Sequence, residues 1–269
     1  MRIQSVGHAV FAVIMIALGV QGLFKGDFTA VWQPIPKGVF ARDELVYICA
    51  MVSLLSGIGL LLRRAATYAA RVLLASFLLW SLFFRLPNLV LAPKVESSWW
   101  SCGEAAVMMA AAWVLYVWFA GEWDTFRLPF AIGESGLRIA RVLFALAMIP
   151  FGLAHFTYLR QTAGIVPNWL PWHTGWAFIT GCAFLATSVA VLTGVYARLA
   201  VALSAVQMGL FALLVWGPIM LAPGPKSPLQ WNETIVSCAL TAGAWVVADS
   251  YRDTPWLGVK KLWPNRRSS

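Results

Sequence analysis

Residues 151–176 read FGLAHFTYLRQTAGIVPNWLPWHTGW. The stretch starts as the end of an apolar helix, crosses a connection carrying Pro167 and Pro171, and re-enters an apolar segment at Trp172 and Trp176. Proline has no N–H for a helical ladder, so the pair marks a break between two helices. Two of the three histidines, His155 and His173, lie in this short stretch. On both sides of it the chain is mostly apolar.

Hydrophobic residues make up 60% of the 269 positions, charged residues 12%, and the mean hydropathy is +0.74. A soluble domain carries about 25% charged residues. A chain this poor in charge cannot cover its surface with groups that suit water, so lipid is the expected solvent. Eight apolar runs follow one another: 6–24, 45–62, 71–91, 102–120, 139–156, 175–192, 199–221 and 234–248. Each has roughly the 20 residues that cross about 30 Å of hydrocarbon as a helix. Helices satisfy their own backbone hydrogen bonds, which lipid cannot do. The first run, with Arg2 ahead of it, has the look of a signal peptide. It is read as retained because it has a counterpart later in the chain.

The halves repeat. Gly22 to Lys25 aligns with Gly152 to His155, Pro34 with Pro167, Cys49 with Cys182, Leu91-Ala92-Pro93 with Leu221-Ala222-Pro223, and Trp113 with Trp245, each displaced by about 130 positions. Four spans per half keep both halves in one orientation, as in parallel membrane repeats. The fold expected is therefore an all-α membrane protein: eight transmembrane helices as two pseudo-twofold-related four-helix bundles. Residues 1–120 form the first repeat, 121–138 a cytoplasmic linker, 139–251 the second repeat, and 252–269 a basic cytoplasmic tail.

The net charge is +9. The basic residues sit in short connections, with no basic face, which points to membrane topology and away from nucleic acid. With an even number of spans, 13 of the 20 Lys and Arg fall on the side of the two ends. Both termini are accordingly expected in the cytoplasm, in a membrane of the bacterial inner type. The four cysteines form no Cys-x-x-Cys pair and no zinc spacing, so no metal site is expected.

At Gly22–Lys25 and Gly152–His155, at Val166-Pro167-Asn168-Trp169-Leu170-Pro171, at Trp176 with Thr180-Gly181, and at the turn Tyr196-Ala197-Arg198-Leu199-Ala200, the chain resembles the DoxX family of small four-helix membrane proteins, here in tandem. The second half matches more closely than the first. The resemblance implies a four-helix bundle per half and an association with quinone-linked oxidoreductases. It transfers no catalytic motif.

Ionisable groups inside apolar runs mark sites by default. His155 lies where the fifth run leaves the outer half of the membrane, and Glu233 opens the eighth on the same side. A histidine beside a carboxylate suits a proton relay or a hydrogen bond to a quinone head. Arg160, Trp169 and His173 lie nearby in sequence and complete the ligand-binding candidates, with His173 and the tryptophans also suiting an interfacial belt. Haem held by His155 and His173 has little in its favour without a Cys-x-x-Cys-His motif. Arg85, inside the third run, is expected to form a structural ion pair with Glu104; Arg85→Leu would then lower stability. Two readings follow. One is a quinone-interacting subunit of a membrane oxidoreductase, with quinone as the ligand and no cofactor in the chain itself. The other, supported by the lack of a strong catalytic constellation, is a non-enzymatic accessory or scaffold subunit of a membrane complex with a protein partner, or a carrier of lipid or small molecules; Gly57, Gly59 and the Ala-rich fourth run suit close helix packing, inside the chain or outside it.

Overall fold

The computed structural model describes residues 3–33, 35 and 38–259. Arg2, Pro34, Lys37, Lys260, Lys261, Arg266 and Arg267, which enter the repeat and the charge asymmetry, lie outside them. Among the described residues the regular structure is helical, save one isolated bridge between Val195 and Val259. The helices are α1 (Val6–Lys25), α2 (Arg42–Leu61), α3 (Ala66–Leu91), α4 (Glu96–Phe119), short α5 (Glu122–Arg127), α6 (Gly133–Thr157), short α7 (Leu159–Gly164), α8 (His173–Thr193), α9 (Ala197–Leu221) and α10 (Pro228–Asp249).

Seven of these helices, α1 to α4, α6, α8 and α9, are long and apolar enough to cross a membrane. At 1.5 Å per residue a 20-residue helix covers about 30 Å. The eighth expected span, α10, has 22 residues. It falls outside that set because Gln230, Asn232 and Glu233 open it.

Each long helix packs on its neighbour in sequence, and α10 closes the ring against α1. α4 and α10 also pack on each other and form the centre. α1 therefore leans on α10 of the other half, and α6 leans on α4. The two sets of four helices are packed together: each completes its packing with the last helix of the other. The Gly7 N–H donates to Asp249 Oδ2 at 3.2 Å, so the start of α1 and the end of α10 sit at one end of the bundle.

Both halves bend their third long helix in the same way. A π-helical turn covers Ser81–Arg85 in α3 and Ala212–Trp216 in α9, and Pro87 or Pro218 follows two residues later. A proline ring collides with the carbonyl four residues back, and one wider turn relieves it. The second and sixth apolar runs also start alike, from a residue held at positive φ: Ala41 before α2 and Trp172 before α8. The Trp172 ring lies over Gly175, where a Cβ would stand 2.1 Å from it. Gly175 is thus what lets the opening stretch turn back into α8.

The connection read as a linker is ordered. It holds α5 and a 3₁₀ turn at Pro129–Ala131, and α6 begins at Gly133, well before the expected 139. The Asp124 carboxylate is fully buried; it accepts from Arg71 Nε at 2.8 Å and Nη2 at 2.6 Å, from the Tyr116 hydroxyl at 2.9 Å and from the Gly121 N–H at 2.7 Å. The counterpart at the other half is looser: Arg198 Nη1 donates to the Arg252 and Thr254 carbonyls after α10. Of the two uses open to the glycine pair, the structure shows the one inside the chain. Gly57 faces α1 and Gly59 faces α3. Cys49 is buried and Cys182 exposed, so these matched positions sit in different surroundings.

Candidate functional site

The two halves differ most where their first connections meet the bundle. In the first half the chain after α1 dips inward through a 3₁₀ turn at Ala30–Trp32 that packs on α4 and α10. Trp32 is 1% exposed; it stacks on Phe77 at 4.9 Å, meets Trp80 edge-on at 5.2 Å, and donates its indole N–H to Ser53 Oγ at 3.0 Å. Trp80 in turn donates to the Trp32 carbonyl. This aromatic cluster fills the space between α2, α3 and the two central helices.

In the second half the connection runs through α7 along the side of a cavity. The cavity measures about 470 Å³ and is walled by α4, α6, α8, α9 and α10 and by Gln161, Thr162 and Ile165 of the connection. Its lining is mostly apolar and aromatic, including Phe151, Phe184, Phe211 and Trp216. Set into that wall are His155, Glu104, Glu233 and Gln207. Apolar walls with a few convergent polar groups are the usual form of a small-molecule site. All four residues lie on long helices, so their spacing is fixed by packing. Gly152 and Gly181 bring α6 and α8 together: a Cβ on Gly181 would stand 2.9 Å from the His155 Cβ.

His155 Nδ1 lies 2.8 Å from the Phe151 carbonyl, one turn back. A carbonyl only accepts, so Nδ1 carries the hydrogen, and in the neutral ring Nε2 is left as an acceptor. Among the described residues Nε2 has no partner. The ring also leans on Phe184, with centroids 5.4 Å apart. The Trp100 side chain hydrogen-bonds to Glu104, and Glu104 interacts electrostatically with both Arg85 and Glu233. The cavity therefore holds two carboxyls and an imidazole in one apolar space.

His155 and Glu233 both line the cavity. Arg160 and Trp169 are exposed on the connection, and His173 opens α8; none of the three lines the cavity. Glu104 belongs to the cavity wall. Its expected ion pair with Arg85 is not closed, because no nitrogen of Arg85 lies within 4 Å of its carboxylate among the described residues. Arg85 is 2% exposed; Nη2 donates to the Val31 carbonyl at 3.1 Å, while Nε and Nη1 are buried without a partner. Gln207 and Trp216 were not singled out from the sequence. Gln207, the one amide in run 199–221, was the available signal.

This geometry changes the expectation for Arg85. A directly paired buried arginine would cost about 3–5 kcal/mol to remove. Here its unpaired nitrogens already cost free energy, and Glu104 keeps the Trp100 hydrogen bond. Arg85→Met should shift the melting temperature in detergent by less than about 3 °C. A drop of about 10 °C would show a closed pair in solution.

The third histidine is structural. His8 is fully buried at the opposite end of the bundle, with Nδ1 accepting from the Gln4 N–H and Nε2 against the Leu60 carbonyl at 3.1 Å. Among the described residues no group of three or more His, Cys, Asp or Glu is placed to hold a metal ion. Comparison of the chain with protein-family models, with curated proteins and with solved structures finds no match.

Proposed function

We propose that this chain is a DoxX-like membrane protein whose cavity binds a lipid-soluble molecule of the quinone type, and that it serves as the quinone-interacting subunit of a membrane oxidoreductase. In this reading α10 is an eighth crossing, both ends lie in the cytoplasm of a bacterial-type cell, and the halves are related by a pseudo-twofold axis along the membrane normal. The paired π turns, the paired positive-φ starts of α2 and α8, and the reciprocal packing of α1 on α10 and α6 on α4 support that axis. The cavity then opens in the outer half of the membrane, where α6 ends and α4, α8 and α10 begin.

One observation carries the functional part. The first connection packs Trp32 against Phe77 and Trp80, whereas the second borders a cavity lined by His155, Glu104 and Glu233. A membrane bundle gains nothing from an empty apolar cavity, since a void forfeits packing contacts. A flat ring on an isoprenoid tail would fill it and reach the polar groups. The accessory or carrier reading draws nothing from Gly57 and Gly59, which pack on α1 and α3.

The test is extraction from native membrane. The purified full chain should carry about one lipid-soluble quinone per protein by mass spectrometry. Ala154, 8% exposed on the cavity wall, is the place to fill it. Ala154→Trp should lower the retained quinone about tenfold while the protein stays folded. Quinone present only in proportion to bulk lipid, in both proteins, would refute the reading.

A further inference from the structure

The two π turns give the halves a common register. Ser81–Arg85 in α3 and Ala212–Trp216 in α9 stand 131 positions apart. At that displacement Phe77, Trp80 and Arg85 correspond to Met208, Phe211 and Trp216. The first three hold the Ala30–Trp32 turn in place. Phe77 stacks on the Trp32 ring, Trp80 meets that ring edge-on and donates to the Trp32 carbonyl, and Arg85 donates to the Val31 carbonyl. Met208, Phe211 and Trp216 all line the cavity. With Pro34 set against Pro167, Trp32 itself corresponds to Ile165, which also lines the cavity but has no ring to lay on α9. The last residue of each π turn buries N–H donors as well. Arg85 spends one on Val31, whereas the indole N–H of Trp216, a side chain 7% exposed, has no partner among the described residues. Phe211 meets Trp216 edge-on with centroids 6.3 Å apart, so this wall is aromatic.

We propose that the ring of the ligand seats on Met208 and Phe211 of α9, as Trp32 seats on Phe77 and Trp80, with an oxygen of that ring toward the Trp216 indole N–H. This rests on the cavity being a quinone-type site and adds where the head lies. Hydrogen bonding alone would not place it, because Tyr158, Gln161, Thr162, Thr180 and Gln207 also line the cavity. The first half shows which wall takes a ring. Rings gain from stacked or edge-on neighbours, and a thioether such as that of Met208 also lies well against a ring. A ring oxygen accepts in a quinone and in a hydroquinone alike, so the seat does not choose between the two.

The experiment uses the full chain in lipid nanodiscs, with empty nanodiscs of the same lipid as the blank. Decylbenzoquinone is compared with a straight-chain ketone of equal length, and uptake above the blank is read by mass spectrometry. Decylbenzoquinone should bind about tenfold tighter than the ketone, which has the oxygen but no ring. Phe211→Ala should cut decylbenzoquinone affinity about tenfold and leave the ketone within about twofold. Trp216→Phe keeps a ring and removes the N–H, so it should weaken decylbenzoquinone about fivefold; unchanged binding would overturn that contact. Leu229→Ala, on the cavity wall at the start of α10, should cost less than Phe211→Ala. Leu210→Ala, on the exposed face of α9 beside Phe211, controls for folding and should bind and melt as wild type does. Equal binding of the two probes, or an equal loss of both in Phe211→Ala, would overturn the ring seat. Tight decylbenzoquinone binding that survives Phe211→Ala and falls with Leu229→Ala would also overturn the seat, and would leave a quinone-type cavity standing. Uptake of neither probe by the wild-type chain would overturn both this inference and the reading it rests on.

Discussion

Gly57→Leu should cost this protein about 3 kcal/mol or abolish its accumulation in the membrane. A Cβ at Gly57 would stand 2.7 Å from the Ala12 carbonyl oxygen and 2.8 Å from the Ile16 N, both backbone atoms of α1. Those atoms cannot move aside as a flexible side chain would. Gly19, on the facing side of α1, is set as tightly against the Leu54 backbone, with 2.4 Å to its N. Two glycines on one interface let α1 and α2 approach backbone to backbone, which is how helices associate where lipid gives no hydrophobic drive. A leucine must push the helices apart and undo α1 packing on α10 as well. Gly217→Ala is the matched control, because its nearest neighbour would be 3.8 Å away. Thermal melting in mild detergent, followed by size exclusion, should show Gly217→Ala within about 2 °C of wild type and Gly57→Leu about 10 °C lower or absent. Equal melting would mean that α1 and α2 do not meet as described.

Asp124→Ala is the second large effect, expected to lower the melting temperature by about 5–10 °C. It strips a fully buried carboxylate that ties α3 to α4 and to the start of α5, and leaves the Arg71 guanidinium and the Tyr116 hydroxyl without their acceptor. Arg71 is partly exposed at 27% and can turn toward water, which keeps the loss at the lower end for a buried pair. The pH dependence has a definite sign. Burial alone would raise the Asp124 carboxyl, but the hydrogen bonds from Arg71, the Gly121 N–H and Tyr116 outweigh it and hold it below its ordinary value. A group whose folded value is depressed stabilises fully above its unfolded value, about 4, and loses that contribution as pH falls through the folded one. Wild-type melting should therefore be flat in this respect above about pH 5 and fall below about pH 4 more steeply than in Asp124→Ala. Parallel curves would remove Asp124 from the account.

Much of the fold was legible because hydropathy has a length scale. The boundaries that moved did so for local reasons. α4 begins at Glu96, six residues before the expected 102, because Glu96, Ser97 and Ser98 read as loop yet form its first turn. α3 starts at Ala66, since Arg71 read as the edge of a span, whereas Asp124 folds back to neutralise it inside the helix. α10 starts at Pro228 in a capping box with Ser227 and Gln230. The apolar run at 234–248 leaves out the polar residues 228–232, which hydropathy does not mark as helix.

The site was half legible. His155 and Glu233 stood out as ionisable groups at the ends of apolar runs, and both line the cavity. Arg160, Trp169 and His173 are near in sequence to His155 but belong to the connection and the entry of α8, and sequence proximity does not carry across a helix break. Glu104 was visible, but its place depended on which neighbour it faces. The cavity itself could not be read, because it depends on one connection burying Trp32 and on the other lining a cavity with Gln161, Thr162 and Ile165. That difference lies in tertiary packing.

The topology of α10 tests the central claim most directly. Reporters that distinguish cytoplasm from the outer side should be placed in the connection at Pro225, ahead of α10, and at each end of the chain. Pro225 outside with both ends in the cytoplasm is the result expected of eight crossings in two like-facing halves. Pro225 on the same side as the C-terminus would mean that α10 does not cross, and both the twofold relation and the outer-leaflet cavity would fall with it.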